Sequence, residues 1–497
     1  MHPSRAETGG RPFFTILASA GGVSLAIQAI SLLRQILLVS TFGFSRSLDL
    51  FSTLYALLTI CVFSFAVIVE SVMTSVLTRI GEAQGEVAMR RAIIPSLKAA
   101  AIFSTVLVVL VAASFRLLAL PFTAGFDEVL RSDLQALAWH ALPWALLVVP
   151  YTVGGVCLKC NWQYRPVFFA ELLVTGISTL SICLWHDGIA DAVLAYAYGY
   201  GVATTFIMVA LWRLGLPASD SSFPWREFVR RVFQHFLSNQ VGIAGSLVER
   251  YWFSFLPPGG IAALALVQQL TVSLASFLSF RDAYLVPLAQ TENRGQKLSR
   301  LLLGMGLLAL MAASATMALA DPICTVLFQY GKVAARDAAL VAELLRIGVV
   351  AVAFSIVATP VWRLQQMSGV YRPLTIIYLC AALATLTLGY LLIAKFQLGA
   401  PGMALIAAIN AFWGCSIAMM YARSFGAHIG AAERSLALGA VAVCSIAGGV
   451  AFLVVGSVET AMMGLVAGAV SFMLLVGICA FSVRDRLRWI VLGRGAA

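Results

Sequence analysis

Apolar blocks of about twenty residues or more, nearly free of charge, recur from one end of the chain to the other. A block of that length, wound at about 1.5 Å per residue, crosses the hydrocarbon core of a bilayer as a helix. Lipid offers the backbone no hydrogen-bond partner, so each such segment has to satisfy its amides internally. About fourteen blocks can be traced, at 14–41, 49–76, 96–120, 134–158, 166–185, 189–213, 233–256, 261–288, 299–320, 340–366, 372–394, 398–422, 433–456 and 459–483. They predict an all-α, polytopic membrane protein. Of the 497 residues 61% are hydrophobic and 11% charged, whereas ordinary soluble domains carry roughly a quarter charged residues.

A formal net charge of +11 would suggest nucleic acid if the chain were soluble. Here the cations segregate between alternate loops. One set holds Arg5 and Arg11; Arg79, Arg90, Arg91 and Lys98; Lys159 and Arg165; Arg213, Arg226, Arg230 and Arg231; Arg294, Lys297 and Arg300; Arg372; Arg423 and Arg434; and Arg484, Arg486, Arg488 and Arg494. The other set holds little beyond Arg46, Arg131, Lys332, Arg336 and Lys395, and carries the acids Asp127, Glu128, Asp133, Asp187 and Asp191. The positive-inside rule puts the first set, and both termini, in the cytoplasm. Topology thus accounts for most of the excess charge, and no nucleic-acid partner is expected. The apolar block that starts at Phe13 is too long for the core of a cleavable signal, so the first helix is expected to be retained. The outward loops reach only about fifteen residues, too short for an extramembrane domain, so function is expected within the membrane.

No motif in the sequence marks covalent chemistry. Its five histidines show no metal-ligand spacing such as H-E-x-x-H, and the pair Cys157 and Cys160 in "CLKC" has no second pair or nearby histidine. No metal, cofactor or catalytic group is expected.

Several polar side chains interrupt the oily helices. In "SLLRQILLVSTFG" (31–43) Arg34 is the one charge between Phe13 and Gly43, and at the centre of a membrane helix it costs roughly 2.5–3.5 kcal/mol. Its guanidinium fork suits a phosphate. The alternative is an ion pair with Asp49 or Glu70. Glu70 and Glu171 are intramembrane carboxylates, able to contact sugar hydroxyls or couple transport to a cation, or to form salt bridges or snorkel to the interface. Glu249 and Arg250 are neighbours pointing about 100° apart on a helix, which makes them candidates for gating or a structural pair. Gln28, Gln268 and Gln269 can bond sugars or glue helices together. "SLLRQILLVSTFG" also has a faint echo in "SLVERYWFSFLPPGG" (246–260), with equal spacing from Arg34 to Gly43 and from Arg250 to Gly259. The echo suggests a duplicated six-helix unit followed by two extra helices.

"LFQYGKVAARDA" (327–338) closely resembles a segment of the MurJ/MviN family of lipid II flippases, within the multidrug/oligosaccharidyl-lipid/polysaccharide (MOP) exporter superfamily. "LLRQILLVSTFGFSRSLDLF", "VERYWFSFLPPGGIAAL" and "QQMSGVYRPLTI" resemble further segments of that family. The resemblance implies lobes at 1–215 and 216–425 around a central cavity, with two last helices and a basic tail at 426–497. It also implies a bacterial cytoplasmic (inner) membrane and alternating access that carries an undecaprenyl-diphosphate-linked glycan outward. Arg34 matches the family's helix-one arginine, and Asp49 and Glu70 its acidic positions in helix two. Gln28, Phe65 and Gln269 are neutral where the family has arginine, and Gln268 stands where aspartate is common. These departures favour an exopolysaccharide or capsule repeat unit over the peptidoglycan precursor.

The resemblance leaves coupling open between membrane potential, protons and sodium; "LTIIYLCAALATLTLGYLL" (374–392) lacks the acid of a sodium site. Expected partners are membrane lipids, which the basic tail "RDRLRWIVLGR" would meet, and glycan synthases or polymerases. The alternatives are a cation-coupled exporter of amphiphilic drugs and a membrane glycosyltransferase or ligase.

Overall fold

A computed structural model describes residues 11–185, 187–215, 223–278, 294–367, 372–427, 431–458 and 460–482. Arg5, Pro287 and the tail "RDRLRWIVLGR" lie outside the described residues.

Among the described residues every apolar block forms helix. The first unit of the fold contains α1 (Arg11–Phe42), α2 (Arg46–Leu58), a π-helical turn (Thr59–Phe63), α3 (Ser64–Gln84), α4 (Glu86–Arg91), α5 (Ile93–Ala113) and α6 (Phe115–Thr123). It continues through α7 (Glu128–Cys160), α8 (Tyr164–Leu184) and α9 (Ile189–Trp212) into α10 (Trp225–Phe253). Then follow α11 (Gly260–Leu278), α12 (Arg294–Phe328), α13 (Ala335–Met367), α14 (Arg372–Gly389) and a second π turn (Tyr390–Lys395). The last helices are α15 (Gly399–Ser424), α16 (Ala431–Gly456) and α17 (Ala461–Ser482). Among the described residues 11 helices are long and apolar enough to cross a membrane, with shorter apolar helices at Gly260–Leu274 and Ala461–Gly477. The protein is a polytopic, all-α membrane protein.

Among the described residues two blocks expected as single helices are interrupted midway, and a third, 372–394, widens into the second π turn only at its end. In 49–76 the Ser64 amide bonds to the Thr59 carbonyl, five residues back, and its hydroxyl reaches the same oxygen at 3.1 Å. This ring is one residue larger than that of an α-helix. In 96–120 the helix breaks at Ser114, whose hydroxyl and amide both bond to the Leu110 carbonyl; such back-bonding by serine bends helices. By contrast, α7 runs through Pro143 and Pro150. Its start is fixed by Asp127, which accepts from the Leu130 amide at 2.8 Å.

The chain divides into two compact units: Met1–Phe42 with Arg46–Ile243, and Gly43–Ser45 with Ala244–Ala497. The division falls inside α10. In the first unit α7 packs on α3, α5 and α9, and α8 packs on α1 and α9. Small residues let these helices close up: a Cβ added at Gly199 on α9 would lie 2.5 Å from the Val174 carbonyl oxygen on α8.

In the second unit α13 packs on α11, α12 and α15, with Leu298, Leu302, Val361, Leu364 and Ala418 in one buried cluster. The pair α16 and α17 lies on α12 through Ala318, Ala447, Ala451 and Phe472. Three of the segments that carry the family resemblance meet in this unit. Gly43 and Gly259 adopt positive φ of 66° and 84°, and an added Cβ would lie 3.2 Å from the Lys332 carbonyl oxygen and 2.5 Å from that of Phe44 respectively. Only glycine fits such a conformation at such an approach.

Candidate functional site

Arg34 lies on the same face of α1 as Ile27, about two turns further along, and both line a partly open cavity of about 280 Å³ within the first unit. Opposite, α8 presents Glu171, Val174 and Thr175, and α9 presents Tyr196 and Tyr200. The spacings are those of single helix faces. Trp144 and Tyr151 of α7, Tyr55 of α2 and Phe63 of the π turn complete the wall.

Arg34 is 6% exposed. Its guanidinium donates from Nη1 to the Ser178 hydroxyl at 2.9 Å, and the guanidinium carbon lies 4.5 Å from the centre of the Tyr196 ring. Ser178 in turn donates to the Thr175 carbonyl at 3.1 Å, leaving its lone pairs to the arginine. Arg34 forms no salt bridge among the described residues, and its Nε is buried without a partner. The ion pair with Asp49 or Glu70 weighed from the sequence is therefore not formed. Asp49 is buried in the first turn of α2, and Glu70 on α3 accepts from Lys159 Nζ at 2.9 Å.

The rings form a connected set. Trp144 lies 4.7 Å from Tyr196, 5.6 Å from Tyr55 and 5.6 Å from Phe63 between centroids, and Tyr151 meets Tyr200 edge-on at 5.3 Å. Such tilted and edge-to-face contacts are those that the ring quadrupole favours.

The other sequence candidates lie elsewhere. Gln28 is half-buried on α1. In the second unit, Gln268 donates to Glu249 Oε1 at 3.1 Å and accepts from Arg250 Nη2 at 3.4 Å, so one amide ties both neighbours despite their diverging directions on α10. Arg250 also covers the Phe253 ring at 4.7 Å. Gln269, the next residue along α11, is half-buried. Of the residues singled out in the sequence, Arg34 and Glu171 are the two that share the cavity. The aromatic wall and Ser178 were not foreseen. The signal available was "AYAYGYG" (195–201), tyrosines in the middle of a span instead of at the interface where they usually collect.

No protein-family model matches the chain, and no curated protein matches it in sequence. Solved structures do match. The lipid II flippase MurJ in an inward closed conformation superposes with a TM-score of 0.76 at 14% identity, covering 95% of this chain and 100% of that one. An inward-facing multidrug resistance MATE transporter of the MOP superfamily gives 0.63 at 14% identity over 82% of this chain and 99% of that one. A MOP transporter from Pyrococcus furiosus, described as having a binding pocket of reverse polarity, gives 0.55 at 14% identity over 83% and 96%. With nearly its whole length superposable on one of them, the chain has the fold shared by MurJ and the MOP-superfamily transporters.

Proposed function

We propose that the protein is a flippase that moves a polyprenyl-diphosphate-linked oligosaccharide across the bacterial cytoplasmic membrane by alternating access, without covalent chemistry. The observation that carries this reading is the buried guanidinium of Arg34 on the wall of a cavity, with no carboxylate partner among the described residues. Burying a cation costs several kcal/mol even after relaxation. Its hydrogen bond to Ser178 returns roughly 1.5–3 kcal/mol and its contact with the Tyr196 ring about 0.5–2 kcal/mol. The remainder calls for an anion, and a diphosphate fits the planar fork. The shared fold with MurJ, named as a lipid II flippase, supports the same reading.

In this reading residues 1–215 and 216–425 are the alternating lobes and 426–497 supply the last two helices and the tail. Both termini are cytoplasmic. The glycan is a lipid II-like unit or an exopolysaccharide or capsule repeat. Glu70, Glu171 and Glu249 with Arg250 are the groups through which membrane potential, protons or sodium would act, and glycan synthases or polymerases take the product. A second reading, a cation-coupled exporter of amphiphilic drugs, draws on the aromatic walls and Glu171 and on the MATE transporters among the structural matches.

The test is reconstitution in liposomes with an undecaprenyl-diphosphate-linked hexose, reading the leaflet of the headgroup by enzymatic access and its mass by spectrometry. Wild type should transfer the headgroup at unchanged mass, Arg34→Gln should not, and Arg34→Lys should retain part of the rate. Wild-type rates for Arg34→Gln would overturn the assignment.

A further inference from the structure

Two more polar atoms in the cavity wall have no hydrogen-bond partner. Trp144 is 1% exposed and Tyr196 2% exposed, and neither the indole Nε1 nor the phenol oxygen is bonded. With Arg34 Nε, three unpartnered polar groups therefore belong to residues that line one cavity. Buried polar groups are bonded in the great majority of cases, so an orphan asks for a reason, such as a ligand that belongs beside it.

The wall narrows the chemistry of that ligand. Its surface is built of ring faces and edges, which pack against apolar C–H groups. Its orphans are chiefly donors, which need acceptor oxygens. Glu171 supplies the complementary carboxylate, able to accept from hydroxyls. A lipophilic cation would use the ring faces but has no acceptor for Trp144 Nε1 or Arg34 Nε, and the Arg34 guanidinium already occupies the Tyr196 face. A bare phosphate would satisfy donors and leave the rings unused. A pyranose ring has both an apolar C–H face and a rim of hydroxyl oxygens.

We propose that the aromatic cavity of the first unit is a sugar-binding subsite, which seats the C–H face of one hexose of the headgroup against Tyr55 and Tyr200, with Trp144 Nε1 and the Tyr196 hydroxyl donating to its oxygens and Glu171 accepting from its hydroxyls. The inference rests on the saccharide-flippase reading above and assigns the place where that saccharide is recognised.

Trp144→Phe and Tyr196→Phe keep a ring and delete the orphan atom. Removing an unsatisfied buried polar atom leaves stability equal or higher, so a merely structural role predicts no loss of binding. The full chain in nanodiscs is titrated with three probes: farnesyl diphosphate, octyl glucoside below its micellar concentration, and farnesyl-diphosphate-glucose. Each substitution should weaken the two glucose-bearing probes on the order of tenfold, leave farnesyl diphosphate unchanged and leave the melting temperature equal or raised. Glu171→Gln should act in the same direction, whereas Arg34→Gln should weaken both diphosphates.

If the glucose-bearing probes bind both Phe variants as they bind wild type, the subsite is overturned while the phosphate role of Arg34 stands. If farnesyl diphosphate fails to bind but octyl glucoside binds through Trp144 and Tyr196, the subsite stands and the diphosphate reading falls. Failure of octyl glucoside and farnesyl-diphosphate-glucose to bind wild type overturns the subsite outright.

Discussion

Replacing Gly199 by alanine tests whether the cavity depends on close packing of α8 and α9. A Cβ there would stand 2.5 Å from the Val174 carbonyl oxygen and 3.3 Å from its carbon. The obstacle is backbone, so no side-chain rotation relieves it, and the helices must part by about 1 Å to restore ordinary contact. Overpacking of this kind costs roughly 1–3 kcal/mol, a fall in melting temperature of roughly 2–12 °C if the first unit responds like a soluble domain of about 150–250 residues. The displaced face carries Tyr196 and Tyr200, so the Arg34 contact with the Tyr196 ring, at 4.5 Å, opens as well. Gly176→Ala is the matched control, since it lies on α8 two residues from Val174 and its added Cβ meets nothing within 4 Å. Thermal unfolding of both variants in the same detergent, followed by tryptophan emission, makes the comparison. Equal melting of Gly199→Ala and Gly176→Ala would refute the close-approach argument.

Two further substitutions probe the polar pairs outside the cavity. Gln268→Leu strips both Glu249 and Arg250 of a shared partner and is expected to destabilise by about 1–3 kcal/mol, measured by chemical unfolding in detergent; an unchanged midpoint would show that the amide bridge carries no stability. Lys159→Met removes the partner of Glu70 in a pair whose side chains are 39% and 36% exposed, so the loss should stay below about 1 kcal/mol and shrink with salt, as a double-mutant cycle with Glu70→Gln would read.

The helices were legible because a bilayer-spanning segment must be both long and apolar, and hydrophobic block length reports that directly. The two interruptions were not. The π turn at Thr59–Phe63 and the break at Ser114 depend on where a serine hydroxyl sends its proton, which leaves no mark on hydropathy. Arg34 stood out because a lone cation in an oily run is costly. Its partner Ser178 did not, since 144 residues separate the two and a serine in a membrane helix commonly bonds its own backbone. The aromatic wall was hidden for a related reason. In lipid, a tyrosine facing acyl chains and one facing a cavity have the same neighbours in sequence: Tyr198 is half exposed while Tyr196 and Tyr200, flanking it at two residues on either side, line the cavity. The divergence expected of Glu249 and Arg250 rested on backbone geometry alone; the reach of the Gln268 side chain closes it.

The wide turn at Thr59–Phe63 lets this stretch absorb a change of length in a way its bland composition conceals. The five residues of the π turn sweep about the angle that four sweep in an α-helix, so deleting one residue there would restore a regular α-helix and leave the downstream faces, with Glu70 beside Lys159, nearly where they stand. What is held constant at this point of the second span is therefore the direction of the faces on either side, and homologous chains should tolerate loss of one residue within Thr59–Phe63 far better than loss of one elsewhere in the span.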